Sequence, residues 1–421
     1  MRAHILKRYP ALAARGYRRY WLGSFASVGA TQLITLGQGW LVFELTGSAL
    51  ALGWLGVAAA LPSLLVTLYG GVVADRYNKR QILRITSLST ALALALLALL
   101  DYAGAVTLWQ VLTIAAIVST ITGIDWPTRS AIFPLLVERP AYMSAVALNA
   151  VIWQSTRMTM PALGGLLIAY TDTWVIFALG AAGFLVMYQV LAGIEVREES
   201  RSAAPALAQI IEAFSFIRRT PLFASLVTLT FAGMLLSNAY IQILPVFADL
   251  MGRSETGYGM LLSAGGIGSV IGTLLMSGAE RRERLGVLLL ACASAAAGVL
   301  CLFALASGAL WFYPALLLAL VASLFASSFM VLTMSILQLL VPDTLRGRVM
   351  GIYSMGFSLV PLGGIILGTL TELWSAPAAV MTANLTFAAL LLAIGWRQRA
   401  IRGLAGSALD TPLPHQSTVR S

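Results

Sequence analysis

The stretch Gly71-Val72-Val73-Ala74-Asp75-Arg76-Tyr77-Asn78-Lys79-Arg80 joins two long apolar runs, and its reading decides the fold. Gly70 and Gly71 leave room where two helices must approach closely. Asp75 stands where an apolar run ends, so it is an interfacial acid and not a buried one. Asn78 is one of the few non-glycine residues that accept the left-handed conformation, and a tight turn is expected there. Arg76, Lys79, Arg80 and Arg84 follow, a cluster of cations that favours the cytoplasmic side of a membrane.

Outward from this join the chain stays apolar. Of its 421 residues, 59% are hydrophobic and 10% charged, against about 25% charged in an average soluble domain. Mean hydropathy is +0.86. A net charge of +10 raises the question of nucleic acid, but nucleic-acid binding needs a basic face interleaved with polar or aromatic residues. Here the basic residues fall in the gaps between apolar runs, so the charge encodes topology and no nucleic-acid partner is expected. Cys292 and Cys301 share one apolar run, and His4 and His415 lie in the tails, a pattern that suggests no disulfide framework or metal site. The first apolar run follows a basic start and lasts a full bilayer span, which predicts a first transmembrane helix and no cleaved signal peptide.

A helix needs about 20 apolar residues to cross a bilayer. Twelve such stretches can be drawn, at 20–43, 50–74, 82–100, 106–124, 144–170, 173–193, 221–248, 257–278, 286–306, 310–336, 347–371 and 376–396. With both termini in the cytoplasm, 25 of the 27 Lys and Arg residues fall on the inner side, Arg253 outside and Arg157 within the membrane. Adding or dropping one helix destroys this segregation. The expected organisation is a cytoplasmic N-tail 1–19, a six-helix half 20–194, a cytoplasmic linker 195–219, a second half 220–396 and a disordered cytoplasmic tail 397–421. In the linker Leu207, Ile210, Ile211, Phe214 and Ile217 recur at helical spacing, which predicts an amphipathic helix lying on membrane lipid at the inner surface. The halves read as repeats: Pro134-Leu-Leu-Val137 returns as Gln338-Leu-Leu-Val341, and Pro161-Ala-Leu-Gly164-Gly165 as Pro361-Leu-Gly363-Gly364, about 200 residues on each time.

The opening stretch resembles the signature loop between helices 2 and 3 of the major facilitator superfamily, G-x-x-x-D-R-x-G-R-R, with Asn78 in place of the second glycine. Glu44-Leu-Thr-Gly-Ser-Ala-Leu-Ala-Leu-Gly53, Asp125-Trp-Pro127-Thr-Arg129, Ala145-Val-Ala-Leu-Asn149 and Arg346-Gly-Arg348-Val-Met-Gly-Ile-Tyr-Ser354 resemble its bacterial branch of enterobactin exporters and macrolide-efflux proteins. The resemblance implies an all-α membrane protein, twelve transmembrane helices in two pseudo-symmetric six-helix bundles enclosing a central cavity.

Arg157 is the most informative single residue, because a charge at the bilayer centre costs about 2.5–3.5 kcal/mol on insertion scales. It is expected to face the cavity and meet an anionic group; the alternative is an arginine satisfied by nearby carbonyls. Asn149 and Gln154 are its polar neighbours along the helix. Gln32, Gln38, Asn238, Gln242, Ser327 and Thr333 are further candidate substrate groups, since the resemblance implies that helices 1, 4, 7 and 10 line the cavity. Gly71, Asp75, Arg76, Lys79, Arg80, Asp125, Arg129, Arg346 and Arg348 are candidate gating residues. Asp75 is placed to latch onto the helix that begins near Pro342, and Asp125 and Arg129 to join a cytoplasmic charge network in which a merely exposed pair is worth little. Pro161, Gly164 and Gly165 resemble half of the helix-5 motif of proton antiporters and, with Pro361, Gly363 and Gly364, permit bending and close packing.

No enzyme is expected: there is no membrane histidine, no paired carboxylate at catalytic spacing, and Gly257-Tyr-Gly259 lacks the strand a dinucleotide site requires. The expected activity is alternating-access export of a small amphipathic molecule, a siderophore or drug, across the bacterial inner membrane by a monomer without cofactor. The coupling ion implied by the resemblance is H+. Import or facilitated diffusion of a metabolite, or a non-transporting scaffold or sensor, are the rival classes. For topology, a membrane-impermeant thiol reagent applied to whole cells should label Arg253→Cys and miss Lys79→Cys; the opposite pattern overturns the orientation.

Overall fold

The computed structural model describes residues 9–194, 215–218, 220–276, 278 and 284–404, with backbone alone at 68–76, 131, 133, 134, 139, 343, 344, 346–348, 354, 399 and 400. The N-tail as far as residue 8, most of the linker with its amphipathic stretch, and the tail beyond 404 lie outside the described residues. Among those described the chain is helical with no strand. A membrane solvent demands this, because it offers no partner for backbone N–H and C=O groups, and helices satisfy them locally.

The long helices are α1 (Arg15–Thr46), α2 (Ala49–Arg76), α3 (Lys79–Tyr102), α4 (Leu108–Ile132), α5 (Tyr142–Tyr170), α6 (Thr173–Ala192), α7 (Pro221–Leu250, in several windings), α8 (Ser254–Leu275), α9 (Leu285–Gly308), α10 (Phe312–Leu340), α11 (Asp343–Met355, continued by a 3-10 turn into Leu359–Leu373) and α12 (Ala376–Arg397). Among the described residues ten stretches are long and apolar enough to cross a membrane. The other two, α1 and α5, have the length but carry polar residues throughout, Gln32 and Gln38 in one and Asn149, Gln154 and Arg157 in the other.

The opening join folds differently from its expected tight turn. Asn78 has φ −60° and ψ 110°, an extended conformation, and its side-chain oxygen accepts from the Gln81 N–H at 3.1 Å. It is the N-cap of α3. Asparagine is among the best N-caps because it satisfies an orphan N–H of the first turn, and that preference prevails here over its tolerance of the left-handed region.

The chain forms two compact units, one of residues 1–204 with 252–263, the other of 205–251 with 264–421. In the first, α1 packs on α5 and α6, α2 on α4, and α3 on α4 and α6. Two donors of α1 fix the start of α5: the Tyr17 hydroxyl donates to the Ala145 carbonyl at 2.9 Å and the Trp21 indole to that of Leu148 at 3.0 Å. Pro161 sits inside α5, where it removes one backbone N–H, and the next N–H, of Ala162, donates to Ser263 Oγ at 2.8 Å. In the second unit α9 packs on α10 and α12, and α11 on α7 and α12.

Glycines set the closest approaches, and they follow the repeat. A Cβ on Gly164 of α5 would meet Leu33 and Leu36 of α1 at 3.0 and 3.2 Å; one on Gly363 of α11 would strike the Leu235 carbonyl and Ala239 of α7. One on Gly165 would lie 2.6 Å from the Glu255 carbonyl at the start of α8. Gly363→Val should therefore destabilise the chain by about 1–3 kcal/mol, the usual cost of overpacking. Gly298→Ala, with nothing within 4 Å, should leave the thermal midpoint in detergent unchanged or slightly raised.

Candidate functional site

Three arginines close the end of α6. Arg80 Nε donates to the Leu191 carbonyl at 2.7 Å and its Nη2 to that of Ala192, while Arg19 Nη1 donates to the Gly193 carbonyl at 3.3 Å. Terminal carbonyls have no partner within the helix and carry its partial negative charge, so cations suit them. Arg84 donates to the Tyr188 hydroxyl at 3.1 Å, with its guanidinium carbon 4.8 Å from the ring centre.

Further along α4, Asp125 and Arg129 lie one turn apart and form an ion pair, each side chain 14% exposed. Asp125 Oδ1 accepts from Thr86 Oγ1 of α3 at 2.6 Å, and Arg129 Nη1 donates to Ser27 Oγ of α1 at 3.1 Å. The pair thus ties three helices together and is largely withdrawn from solvent. Truncating one partner of such a pair strands the other, a far larger cost than losing an exposed pair.

Arg129 also lines a cleft between α1, α4 and α5, with ≈ 390 Å³ of free space counted to its mouth. Tyr20, Ser24 and Val28 supply one wall, Trp126 and Ser130 another, Asn149 and Trp153 the third. The Trp126 and Trp153 rings meet edge to face, 5.1 Å apart at 70°. Helical geometry explains the third wall: Asn149, Trp153 and Arg157 are spaced by four residues and share one face of α5. Arg157 is exposed on that face and engages a neighbour within the protein.

A second, small apolar pocket lies within the other unit between α7, α9, α10 and α12. Asn238 lines it, 3.7 Å from Met234 Sδ. Here α7 changes winding, through a wide π turn at Gly233–Ser237 and a 3-10 segment at Asn238–Ile243. Asn384 of α12, fully buried, accepts from Ser237 Oγ at 2.8 Å and donates to the Val380 carbonyl at 2.9 Å.

Of the sequence candidates, then, Arg129 and Asn149 come together in one cleft and Asn238 lies in the second cavity. Gln32, Gln154 and Gln242 are half-buried and line neither. Gln38 is 6% exposed, and its Nε2 makes no hydrogen bond. Ser327 and Thr333 return their hydroxyls to carbonyls of α10, those of Leu324 at 3.1 Å and Phe329 at 2.8 Å, as serines and threonines within helices often do. Lys79 begins α3; of Gly71, Asp75, Arg76, Arg346 and Arg348 only the backbone is described, at the end of α2 and in the first turns of α11. Pro161, Gly164, Gly165, Pro361, Gly363 and Gly364 are all buried. Ser24, Tyr20, Trp126, Trp153 and Asn384 were not singled out as functional; only Trp153 had a readable signal, its spacing of four residues from Asn149 and from Arg157.

At its other end the first unit has an acidic crevice lined by Glu44, Asp101 and Asp172, beside the Tyr102–Trp174 ring pair at 5.2 Å. Glu44 lies past the apolar part of α1, and partial burial, then the charges of Asp101, Glu255 and Asp172, raise its carboxyl above the ordinary value.

Over residues 8–411 the chain matches the family described as transmembrane secretion effectors. It is 25% identical over 249 residues to the staphyloferrin A transporter of Staphylococcus aureus, a match covering 57% of this chain and 62% of that one. To the enterobactin exporter EntS of Escherichia coli it is 25% identical over 353 residues, covering 83% and 82%. The solved structure of the nucleoside transporter NupG superposes with a TM-score of 0.72 at 15% identity, covering 92% of this chain and 99% of that one.

Proposed function

Because the chain belongs to the transmembrane secretion effectors of the major facilitator superfamily, we propose that it exports a small amphipathic molecule, a siderophore or a drug of like chemistry, across the bacterial inner membrane by alternating access. Two relatives bear the names of a siderophore transporter and a siderophore exporter, which supports that cargo class. The observation that carries the reading is the polar face of α5, where Asn149, Trp153 and Arg157 run in line from the Arg129 cleft. A charged, hydrogen-bonding stripe on a membrane helix is expensive unless it borders a water-filled path. The twelve-span topology with both termini inside, two halves at 20–194 and 220–396 and H+ as the coupling ion complete the proposal. Glu44 is a carboxyl that holds a proton more readily than usual and is one place for such an ion to act.

In inverted membrane vesicles energised with a proton gradient, wild type should accumulate a labelled siderophore or amphipathic dye. Arg157→Ala should abolish accumulation while the protein still elutes as a folded species, and Arg157→Lys should retain less than wild type because a point charge replaces a planar fork. Normal accumulation by the alanine variant makes Arg157 a packing residue, and accumulation in right-side-out vesicles instead makes the protein an importer.

The gating proposal concerns Asp75. An anion at a helix N-terminus is worth about 0.3–2 kcal/mol, enough to shift a balanced two-state equilibrium several-fold. Asp75→Asn should populate the inward-facing state and lower transport while leaving cargo binding from the cytoplasm in place, read as longer distances between spin labels on the two cytoplasmic rims. Unchanged distances with unchanged transport exclude the latch.

A further inference from the structure

The cleft between α1, α4 and α5 holds more hydrogen-bond donors than the protein uses. A guanidinium has five N–H groups. Among the described residues Arg129 spends Nε on Asp125 and one Nη1 hydrogen on Ser27, so three remain on a side chain 14% exposed. Ser24 Oγ, on a residue 3% exposed, lines the same cleft, where the neighbouring Tyr20 hydroxyl is its partner among the described residues. Asn149 adds an amide. A structural arginine on α4 needs Asp125 and Ser27; it does not need a further hydroxyl and an amide lining the same cleft.

The walls and the charge then select the ligand. Tyr20, Trp126 and Trp153 are aromatic, and the edge-to-face indoles form a corner in which a ring can lie against the face of one and the edge of the other. Among the described residues no acidic side chain lines the cleft. Asp125, beside it, has one oxygen on Thr86 and the other on Arg129, so a cationic ligand finds no carboxylate free. The cleft is shallow and open at its mouth, the ≈ 390 Å³ including solvent space outside it, so it takes only the edge of a small flat group and not an enclosed ligand.

We propose that this cleft binds planar aromatic acids, with the carboxylate on Arg129 and Ser24 and the ring against Trp126 and Trp153. The site rests on the export reading, for which it names the cargo chemistry: an aromatic acid, or the aromatic acid portion of a larger cargo.

The full chain in lipid nanodiscs is tested by equilibrium dialysis with radiolabelled benzoate, using empty nanodiscs as the blank. Benzoate should be retained, benzyl alcohol should compete at least tenfold less well, and benzylamine should not compete. Ser24→Ala should change the melting temperature little, because the hydroxyl has at most the flexible Tyr20 hydroxyl as partner, and should weaken benzoate by about threefold to tenfold, the worth of one hydrogen bond. Arg129→Lys, which keeps the charge and loses the fork, should weaken it at least tenfold. Benzoate retention no higher than the blank, equal competition by benzylamine, or wild-type affinity in both variants overturns the proposal. Vesicle transport separates this failure from failure of export. A chain that binds benzoate through Ser24 and Arg129 but accumulates no cargo keeps the cleft and loses export, and one that accumulates cargo without binding benzoate keeps export and loses the cleft.

Discussion

Lipid tails are as apolar as leucine, so helices already in a bilayer gain little by burying leucines against one another. They associate through what lipid cannot supply, close contact between backbones and hydrogen bonds between helices. This constraint accounts for where glycine stands in the chain. Gly164 brings α5 onto α1, and Gly363, 199 residues later, brings α11 onto α7. Gly123 brings α4 within reach of the Ser63 carbonyl of α2, and Gly268 and Gly272 bring α8 onto carbonyls of α10. In each unit the polar contacts then attach to helices that glycine has drawn together. Ser63 N–H reaches Ser119 Oγ at 3.0 Å in the first unit, and Ser328 Oγ reaches the Gly272 carbonyl at 3.4 Å in the second.

Much of the fold was legible because membrane helices must declare themselves by length and apolarity, and because basic residues gather between them. Twelve stretches drawn from the sequence correspond to helices in the structure, with ends shifted by several residues; ten of those helices meet the apolar criterion. The repeat was legible as spacing, and the structure turns it into matching contacts at Gly164 and Gly363. What sequence alone mistook was local competition. Asn78 has two strong preferences, left-handed turn and N-cap, and spacing does not rank them; the unmet N–H groups of α3 do. The rewinding of α7 between Gly233 and Ile243 was equally hidden; within it Ser237 meets Asn384, 147 residues away, a contact that spacing does not reveal.

The candidate site was legible in part for the same reason. Asn149 and Arg157 stood out because polar groups in an apolar helix are costly, and their common face follows from counting turns. Ser24 and Tyr20 gave no such signal, because serine and tyrosine are ordinary in a membrane helix. They matter only through convergence, with α1, α4 and α5 bringing them to the Arg129 guanidinium. The Asp125–Arg129 pair changed its meaning in the same way. A spacing of four residues on one helix describes an exposed pair as well as a buried one, and only the approach of Thr86 and Ser27 from neighbouring helices distinguishes them.

The arginines of the first unit divide by how fully their donors are used. Arg19 and Arg80 reach carbonyls that end α6, and Arg84 reaches the Tyr188 hydroxyl and lies over its ring. Such contacts exploit the partial negative charge of a helix C-terminus and fix one helix against another, a structural task that suits a cation already required there for topology. Arg129 differs in its surroundings and not in its charge. Its acid neutralises it without saturating it, and a buried hydroxyl, an amide and two indoles line the same cleft. Neutralising the cation within its own helix removes most of the electrostatic cost of keeping it largely buried, while the spare directional donors confer selectivity for acceptor oxygens. On the proposed role, Asp125 keeps the hold on an acid moderate, since an unpaired buried guanidinium would bind an acid too tightly to release it.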